Sequence, residues 1–247
     1  MTAGASRGSE KPLITKLEAR DCLSHEEKAL LGGLFNRQRD IAAGEDIVRE
    51  GDRPWESTLL LEGFSGRYNL LRDGSRQITA LHVTGDFVDL HAFLLKKMDH
   101  GITALTRCLV ATAPHDRLRE LTDRHPHLTR LLWLSTLIDG AIHRQWLVAM
   151  GRHSSVAQLA HMICELYVRL RDVGQTHDNR FRLPLTQTQM ADMLGLSSIH
   201  VNRILRELRE QGLMTWSSGE IAISDWDGLV RLAEFDPTYL SDMPEPR

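Results

Sequence analysis

Between residues 39 and 113, short apolar runs alternate with turns that contain glycine. The runs include residues 57–61 and 77–83, and the turns recur at a spacing of about ten residues. Glycine permits the positive φ angles of tight turns, and Asp-Gly is a common hairpin sequence. The pattern therefore predicts an antiparallel β-roll within a domain over residues 21–125. Its turns carry Gly44-Glu45, Gly51-Asp52, Gly63, Asp73-Gly74 and Gly85-Asp86.

The segment before the roll has a weaker pattern. Its start is rich in glycine, serine and lysine, and we expect residues 1–20 to form a flexible tail. A short helix is predicted over residues 24–34. Ser24 and Glu27 have the spacing of a capping box, in which each side chain bonds the backbone N–H of the other residue.

Residues 127–149 have a helical pattern, with no proline and a single glycine. Apolar positions at steps of three and four residues define a seam of the coiled-coil type. A second apolar strip lies elsewhere on the helix, so the helix needs two partners. The seam consists of Leu128, Leu131, Ser135, Ile138, Ile142, Gln145 and Ala149, and the second strip of Trp133, Leu137, Ala141 and Leu147.

From these two strips we predict that residues 126–151 form a dimerisation helix and the start of a hinge, with the seam at the dimer interface. A single buried helix in a monomer is the alternative. Residues 151–154 carry the hinge sequence Gly-Arg-His-Ser, and a helix is expected from residue 155 to residue 172.

Residues 186–210 predict two short helices joined by a tight turn. Thr186 and Gln189 have capping-box spacing at the start of the first helix. Gly195 ends that helix, and Ser197 is placed to cap the next one only two residues later. Two helices with a glycine-bearing turn between them form a helix-turn-helix.

The second helix of this motif separates into two faces. Its apolar face holds Val201, Ile204, Leu205 and Leu208. The opposite face has three arginines and no acidic residue, whereas a solvated face usually mixes acidic and basic residues. Arginine pairs with guanine and asparagine with adenine in the major groove of DNA, so this face is predicted to contact base edges. An ordinary amphipathic helix is the alternative. The predicted DNA-binding residues are Thr188, Ser197, Ser198, Ile199, His200, Asn202, Arg203 and Arg206.

Beyond the two helices, residues 213–216 and 220–223 predict a β-hairpin around the turn at 217–219. This hairpin is the wing of a winged helix-turn-helix. We assign residues 152–247 to one DNA-binding domain on this basis.

Composition excludes several other classes of protein. The 247 residues carry a net charge of −3 and are 42% hydrophobic, with no apolar run of membrane-spanning length and no secretory signal. The three cysteines, Cys22, Cys108 and Cys164, form no close pair, which indicates reduced thiols in the cytoplasm and no metal site. No phosphate-binding loop, zinc-protease motif or nucleophile elbow is present, so we do not expect an enzyme.

The sequence resembles the Crp/Fnr superfamily of bacterial transcription regulators over residues 22–223, and within it FixK-like members that lack a cysteine cluster. The resemblance implies an α+β fold with a sensory, cyclic-nucleotide-binding-like jelly roll. It also implies a homodimer on a palindromic site in double-stranded DNA, with RNA polymerase as a further partner. It rests on Gly44-Glu45, Gly51-Asp52, Gly85-Asp86-Phe87, Leu194-Gly195-Leu196-Ser197, Val201-Asn202-Arg203-Ile204-Leu205, Leu208 and Gln211-Gly212-Leu213.

The region of the family's effector pocket departs from the cyclic-AMP-binding pattern. In place of the glutamate and arginine that hold the cyclic nucleotide, the chain has Asp89, Leu90 and His91, and later His100. We predict that these four residues line an effector pocket and that cyclic AMP is not the effector, because its phosphate would lack an arginine. An iron–sulfur cluster is excluded because Cys22 is the only N-terminal cysteine. We expect no cofactor, with haem at His91 and His100 as the alternative.

One departure concerns the predicted recognition helix. Many members of the family carry glutamate where this chain has Ile199, and that glutamate accepts a hydrogen bond from cytosine. Arg203 matches the guanine-contacting arginine of the family. We therefore expect an operator that differs from the common palindrome at one base pair per half-site. A sensor module whose output is not DNA binding is the alternative function.

Overall fold

The computed structural model describes residues 10–241, which divide into two compact units. One unit holds residues 10–69 and 80–139, and the other holds residues 70–79 and 140–241. Residues 1–9 of the predicted tail and the last six residues of the predicted DNA-binding domain lie outside the described residues. None of the helices within residues 10–241 is both long and apolar enough to span a bilayer.

The first unit contains the predicted antiparallel β-roll. It consists of two sheets, with strand orders β1-β7-β3 and β2-β6-β4-β5. The elements of the chain up to the long helix are α1 (Lys11–Glu18), α2 (His25–Leu34), β1 (Arg37–Ile41), β2 (Asp46–Val48), β3 (Glu56–Glu62), β4 (Ser65–Leu70), β5 (Arg76–His82), α3 (Ala92–Leu95), β6 (Gly101–Ala104), β7 (Cys108–Pro114), α4 (His115–Arg124) and α5 (Pro126–Arg152).

Strand β3 is buried on both faces. Leu60 packs in a core with Ile102 and Val110 of strands β6 and β7. Leu59 and Leu61 point the other way and pack in a second core with the helices. Successive side chains of a strand face opposite sides, so a strand between two apolar layers is a continuous apolar run.

The N-terminal tail prediction is wrong for residues 11–18, which form helix α1. Leu13 and Leu17, one turn apart, are buried in the helical core, and Lys16 forms an ion pair with Asp86. Pro12 stands in the first turn, where the missing N–H of proline breaks no helical hydrogen bond. The helix also covers Gly85, where a Cβ atom would lie 2.8 Å from the carbonyl oxygen of Pro12.

The start of α5 is joined to α2 by His127. Its Nδ1 atom lies 2.5 Å from Glu27 Oε1, and its Nε2 atom lies 3.2 Å from Asp21 Oδ2. Burial alone would lower the pKa of His127, but the hydrogen bonds to the two carboxylates outweigh it and raise that pKa. The protonated imidazole is therefore the form that the fold favours.

Replacement of His127 by glutamine should remove a pH-dependent part of the stability. A raised folded-state pKa gives stability that is complete below the unfolded pKa of about 6.5 and is lost as pH rises through the folded value. We expect His127→Gln to cost about 1 kcal/mol at pH 6 and less at pH 9, measured by thermal unfolding. His177→Gln, at an exposed histidine, is the matched control. A cost that does not change with pH would contradict the ion pair.

Helix α5 spans 27 residues, as one continuous helix through Gly151 and Arg152. The predicted hinge at 151–154 is therefore too long, since only His153 and Ser154 separate α5 from α6. Ser154 caps α6 by accepting a hydrogen bond from the N–H of Ala157. The division between the two units falls within α5, between residues 139 and 140.

The prediction of the dimer seam on α5 is wrong for four of its seven residues. Leu128, Leu131, Ile142 and Ala149 are buried inside the chain itself, and Ser135, Ile138 and Gln145 are half-buried. At 100° per residue the second apolar strip lies on the opposite side of the helix, about 160° away. Three of its four side chains are exposed, Trp133 at 64%, Leu137 at 55% and Leu147 at 69%, whereas Ala141 is half-buried. Val148, next to Leu147, is also exposed, at 50%, and we count it with this exposed strip.

The second unit contains, within the described residues, the end of α5 from residue 140, four further helices, a four-stranded sheet and a final turn of 3₁₀ helix at Pro237–Leu240. The sheet has the strand order β10-β11-β9-β8. Strand β8 and helix α9 had no counterpart in the sequence analysis. The remaining elements are α6 (Ser155–Arg171), β8 (Thr176–His177), β9 (Arg180–Arg182), α7 (Gln187–Leu194), α8 (Ser198–Glu210), β10 (Met214–Ser217), β11 (Glu220–Ile223) and α9 (Trp226–Ala233).

Two polar contacts organise this second unit. Glu165 of α6 is fully buried and accepts hydrogen bonds from Trp146 Nε1 at 3.0 Å, Tyr239 OH at 3.0 Å and Arg169 Nη1 at 2.8 Å. A buried carboxylate needs such partners, and here they join α5, α6 and the final 3₁₀ turn. The tip of the β4–β5 hairpin belongs to the same unit, because Arg76 donates to Asp192 Oδ2 from Nη2 at 2.8 Å and from Nε at 3.1 Å.

Candidate nucleic-acid interface

Helices α7 and α8 form the predicted helix-turn-helix, and local capping fixes both ends of the turn. Thr186 Oγ1 accepts from the N–H of Gln189 at 3.1 Å, and Gln189 Oε1 accepts from the N–H of Thr186 at 2.8 Å. Gly195 ends α7 with a φ of 65°, a left-handed conformation that suits glycine. Ser197 then caps α8 by accepting from the N–H of His200 at 3.3 Å.

Helix α8 buries the predicted apolar face. Val201, Ile204 and Leu208 are at most 1% exposed, and Leu205 is half-buried. This burial leaves the opposite face in solvent, where Ile199 is 83% exposed. An isoleucine so exposed at the start of a helix has no role in this chain's own core.

An open groove lies between the exposed face of α8 and strand β10 of the wing. Three of its lining side chains are arginines, and no acidic side chain is among the lining residues. The wing turn is made by Ser218 and Gly219, whose φ angles of 51° and 74° are those of a two-residue hairpin turn. The lining residues are Gln187, Ile199, Asn202, Arg203, Leu205, Arg206, Arg209, Thr215, Trp216 and Ser217.

Several polar side chains on this face bond to one another. Gln187 Nε2 donates to Asn202 Oδ1 at 2.8 Å, and Asn202 Nδ2 donates to Gln187 Oε1 at 2.5 Å. Arg203 Nη2 lies 2.8 Å from His200 Nε2. The sequence analysis missed Gln187, because a pairing between two residues 15 positions apart on different helices has no local sequence signal.

The remaining predicted DNA-binding residues also lie at this end of the motif. Thr188 and Ser197 are exposed, and Ser198 is half-buried with its hydroxyl 3.5 Å from that of Thr188. Arg206 is exposed, with its Nε atom 3.7 Å from Glu210. The fold thus brings all eight predicted residues to α8, its cap and the adjoining turn of α7.

The predicted effector pocket is wrong for Asp89. Asp89 has no exposed surface, and its carboxylate accepts from the N–H of Thr58 at 2.5 Å and from Thr58 Oγ1 at 3.2 Å. Burial raises the pKa of Asp89 to about 7 despite these hydrogen bonds. Leu90 packs against the helical core. Asp89 therefore serves the packing of the roll, whereas Leu90 is half-buried and its place in the pocket stays a prediction.

His91 and His100 do come together in the roll. Their Nε2 atoms are 3.1 Å apart, and His100 Nδ1 lies 2.6 Å from Asp99 Oδ1. Burial and the nearby Arg67 lower the pKa of His91 to about 4 and also lower the pKa of His100, so both imidazoles favour the uncharged form at neutral pH. In this arrangement each Nε2 atom is the hydrogen-bond partner of the other.

The cysteines give no sign of a reactive site. Cys108 and Cys164 are buried, and burial raises the pKa of the Cys164 thiol to about 12, which opposes thiolate formation. Cys22 is exposed. Within residues 10–241 no cluster of three or more histidine, cysteine or carboxylate side chains has a geometry that suits a metal ion.

Two protein-family models match the chain. Residues 38–125 match the cyclic nucleotide-binding domain, and residues 157–232 match the Crp-like helix-turn-helix domain. The first range covers most of the roll, and the second covers the predicted DNA-reading motif with its wing.

Curated relatives match along most of their own length. The chain is 25% identical over 211 residues to the transcriptional activator protein FnrA of Stutzerimonas stutzeri, covering 85% of this chain and 86% of the relative. It is 26% identical over 212 residues to the transcriptional activator protein anr of Pseudomonas aeruginosa, with the same shares covered. The fumarate and nitrate reduction regulatory protein of Escherichia coli K12 is 24% identical over 213 residues, covering 85% and 84%.

Solved structures share the fold. FixK2 from Bradyrhizobium japonicum superposes with a TM-score of 0.69 at 21% identity, covering 79% of this chain and 96% of that one. A transcriptional regulator of the CRP family from Thermus thermophilus gives a TM-score of 0.59 at 19% identity, covering 80% and 97%.

Proposed function

The chain belongs to the Crp/Fnr superfamily of transcription regulators, which bind DNA through a helix-turn-helix and act as dimers, and we propose that it binds a palindromic operator as a homodimer. The observation that carries the proposal is the exposed, acid-free groove beside α8. In this proposal two copies of α8 enter successive major grooves about 34 Å apart. The protein works in the cytoplasm, where its DNA is.

Within each half-site, Arg203 and Ile199 are the proposed base readers. Arg203 is exposed on the groove and has the donors for a bidentate contact with guanine. Ile199 offers an exposed apolar side chain, which suits the methyl group of thymine. The N-terminus of α8, with Ser197 and Ser198, is suited to a backbone phosphate.

The exposed strip of α5 is the proposed dimer interface. Trp133, Leu137, Leu147 and Val148 place large apolar side chains in solvent at helical spacing, and the same strip on a second copy would cover them. A two-fold pair of identical helices forms a self-complementary interface. Since the family acts as dimers, a second copy is the occupant that we assign to this strip.

RNA polymerase is the proposed further partner. Two relatives are named transcriptional activators, and an activator at a promoter acts on the polymerase.

We also propose that signals reach the roll at the His91–His100 pair. Its imidazoles are half-buried or buried, with centroids 4.9 Å apart, beside Arg67, which bonds Asp139 of α5 at 3.0 Å. Cyclic AMP and an iron–sulfur cluster are not the proposed effectors.

Selection of bound duplexes from random DNA with the purified full chain tests the proposal. We expect one enriched motif with two-fold symmetry and a half-site spacing of about one helical turn. Enrichment of an asymmetric motif would contradict the dimer. If no motif is enriched, sequence-specific binding is contradicted as well.

Replacement of Ile199 by glutamate should change the preferred base at one position of each half-site. A carboxylate accepts a hydrogen bond from cytosine N4, whereas isoleucine contacts the thymine methyl, so we expect a shift from thymine to cytosine. The shift should be about tenfold in relative affinity, which the same selection measures. Ile199→Val, which keeps an apolar contact, is the matched control and should keep thymine. An unchanged motif in Ile199→Glu would show that this residue does not face a base.

A further inference from the structure

The amide groups of Gln187 and Asn202 form a reciprocal pair across the two helices of the motif. Each amide nitrogen donates to the oxygen of the other side chain, at 2.8 and 2.5 Å. Gln187 stands at the first residue of α7, and Asn202 is on the exposed face of α8. Both side chains line the groove that faces the proposed DNA site.

This pairing uses the edge of Asn202 that adenine would need. Asparagine reads adenine by accepting from N6 and donating to N7, with the same oxygen and nitrogen that Gln187 engages here. To read adenine, Asn202 would give up two hydrogen bonds in exchange for two. The exchange leaves little net preference for adenine over other bases.

Arg203 is engaged differently. Arginine only donates hydrogen bonds, so in the contact between its Nη2 and His200 Nε2 the imidazole nitrogen is the acceptor. A guanidinium has five N–H donors, and one is used here. An edge remains free for the O6 and N7 atoms of guanine, while His200 restricts where the guanidinium points.

We propose that Asn202 is withheld from the bases by Gln187, and that base recognition by the polar side chains of α8 rests on Arg203 held in place by His200. This inference rests on the proposed function, since it assigns roles within the same DNA-reading surface. Gln187 and His200 are positioning residues in it. The juxtaposition of the two pairs predicts a guanine-reading operator without an adenine requirement at the base pair nearest Asn202.

The first test compares selected DNA motifs for the full chain and three variants. Asn202→Ala should leave every position of the motif within about twofold of the wild type. Gln187→Ala frees Asn202 and should add an adenine preference of about fivefold or more at one base pair per half-site. The double variant Gln187→Ala/Asn202→Ala should lose that new preference. Gln211→Ala, which removes an exposed amide at the other end of α8, is the matched control.

Two results would overturn the role of the amide pair. One is an adenine preference in the wild type that Asn202→Ala removes, and the other is an unchanged motif in Gln187→Ala. These outcomes are distinct from failure of the proposed function, in which the wild-type chain itself enriches no motif.

The second test concerns His200. We expect His200→Ala to weaken the guanine preference at the base pair read by Arg203 by about threefold to tenfold, and His200→Gln, which keeps an acceptor, to restore part of it. Affinity for random-sequence duplex and the melting temperature should stay near wild type. A uniform loss of affinity at all positions, or no rescue by glutamine, would overturn the positioning role.

Discussion

Replacement of Leu137 by aspartate is expected to give a folded monomer that binds the operator about 100-fold more weakly or worse. Leu137 is 55% exposed in the middle of the α5 strip, so the change costs the single chain little. In the dimer it places a charge in an apolar interface. In the dimer, binding of one half-site holds the second recognition helix close to the other half-site, which raises the overall affinity by a factor of about 100 to 10,000. The monomer loses this gain.

Sedimentation velocity measures the oligomeric state of this variant, and fluorescence anisotropy with the selected operator measures its affinity. Leu94→Asp is the matched control, because Leu94 is 75% exposed on α3 and is not part of the strip. A dimeric Leu137→Asp protein with unchanged affinity would contradict the interface. Leu131→Asp should instead unfold the chain, since Leu131 is 1% exposed in its own core.

Replacement of Arg203 by alanine is expected to cost about 1–3 kcal/mol of specific binding per half-site and to relax the preference at one base pair. A base-reading arginine contributes to discrimination, whereas a phosphate contact contributes to affinity for any sequence. The slope of the logarithm of affinity against the logarithm of salt concentration should therefore change by less than about one unit, which is the change expected when one phosphate contact is lost.

Binding assays with the selected operator and with single-base variants of it give both quantities. Arg231→Ala, at an exposed arginine on α9, is the matched control. If Arg203→Ala keeps the discrimination at every position, the assigned register of α8 on DNA is wrong.

Local signals made much of the DNA-reading surface predictable. Thr186 with Gln189, and Ser197 with the following helix, are capping patterns within four residues of sequence, and the structure contains both. The split of α8 into apolar and polar faces follows from its period of 3.6 residues. The family resemblance and these caps together placed the helix-turn-helix at the correct residues.

Features that depend on packing were predicted less well. Each strip of α5 places apolar residues on one side of the helix, so periodicity could not show that Leu131 faces its own core and Leu137 faces solvent. Asp89 is buried where it accepts a hydrogen bond from the N–H of Thr58, which lies 31 positions earlier in the chain. The Gln187–Asn202 pair likewise joins residues that only the tertiary fold brings together. Helix α1 was missed because it is short and has only three aliphatic residues, Leu13, Ile14 and Leu17, among its eight.

The contact between Arg76 and Asp192 bears on how this protein can be divided for experiments. A fragment that begins at residue 140 would contain both DNA-reading helices but would lack the arginine that bonds the carboxylate of Asp192. Removing residues 70–79 would have the same effect on an otherwise intact chain. Neither truncated protein therefore contains the helix-turn-helix with all the contacts that it makes in the full chain. Binding studies should use the full-length protein.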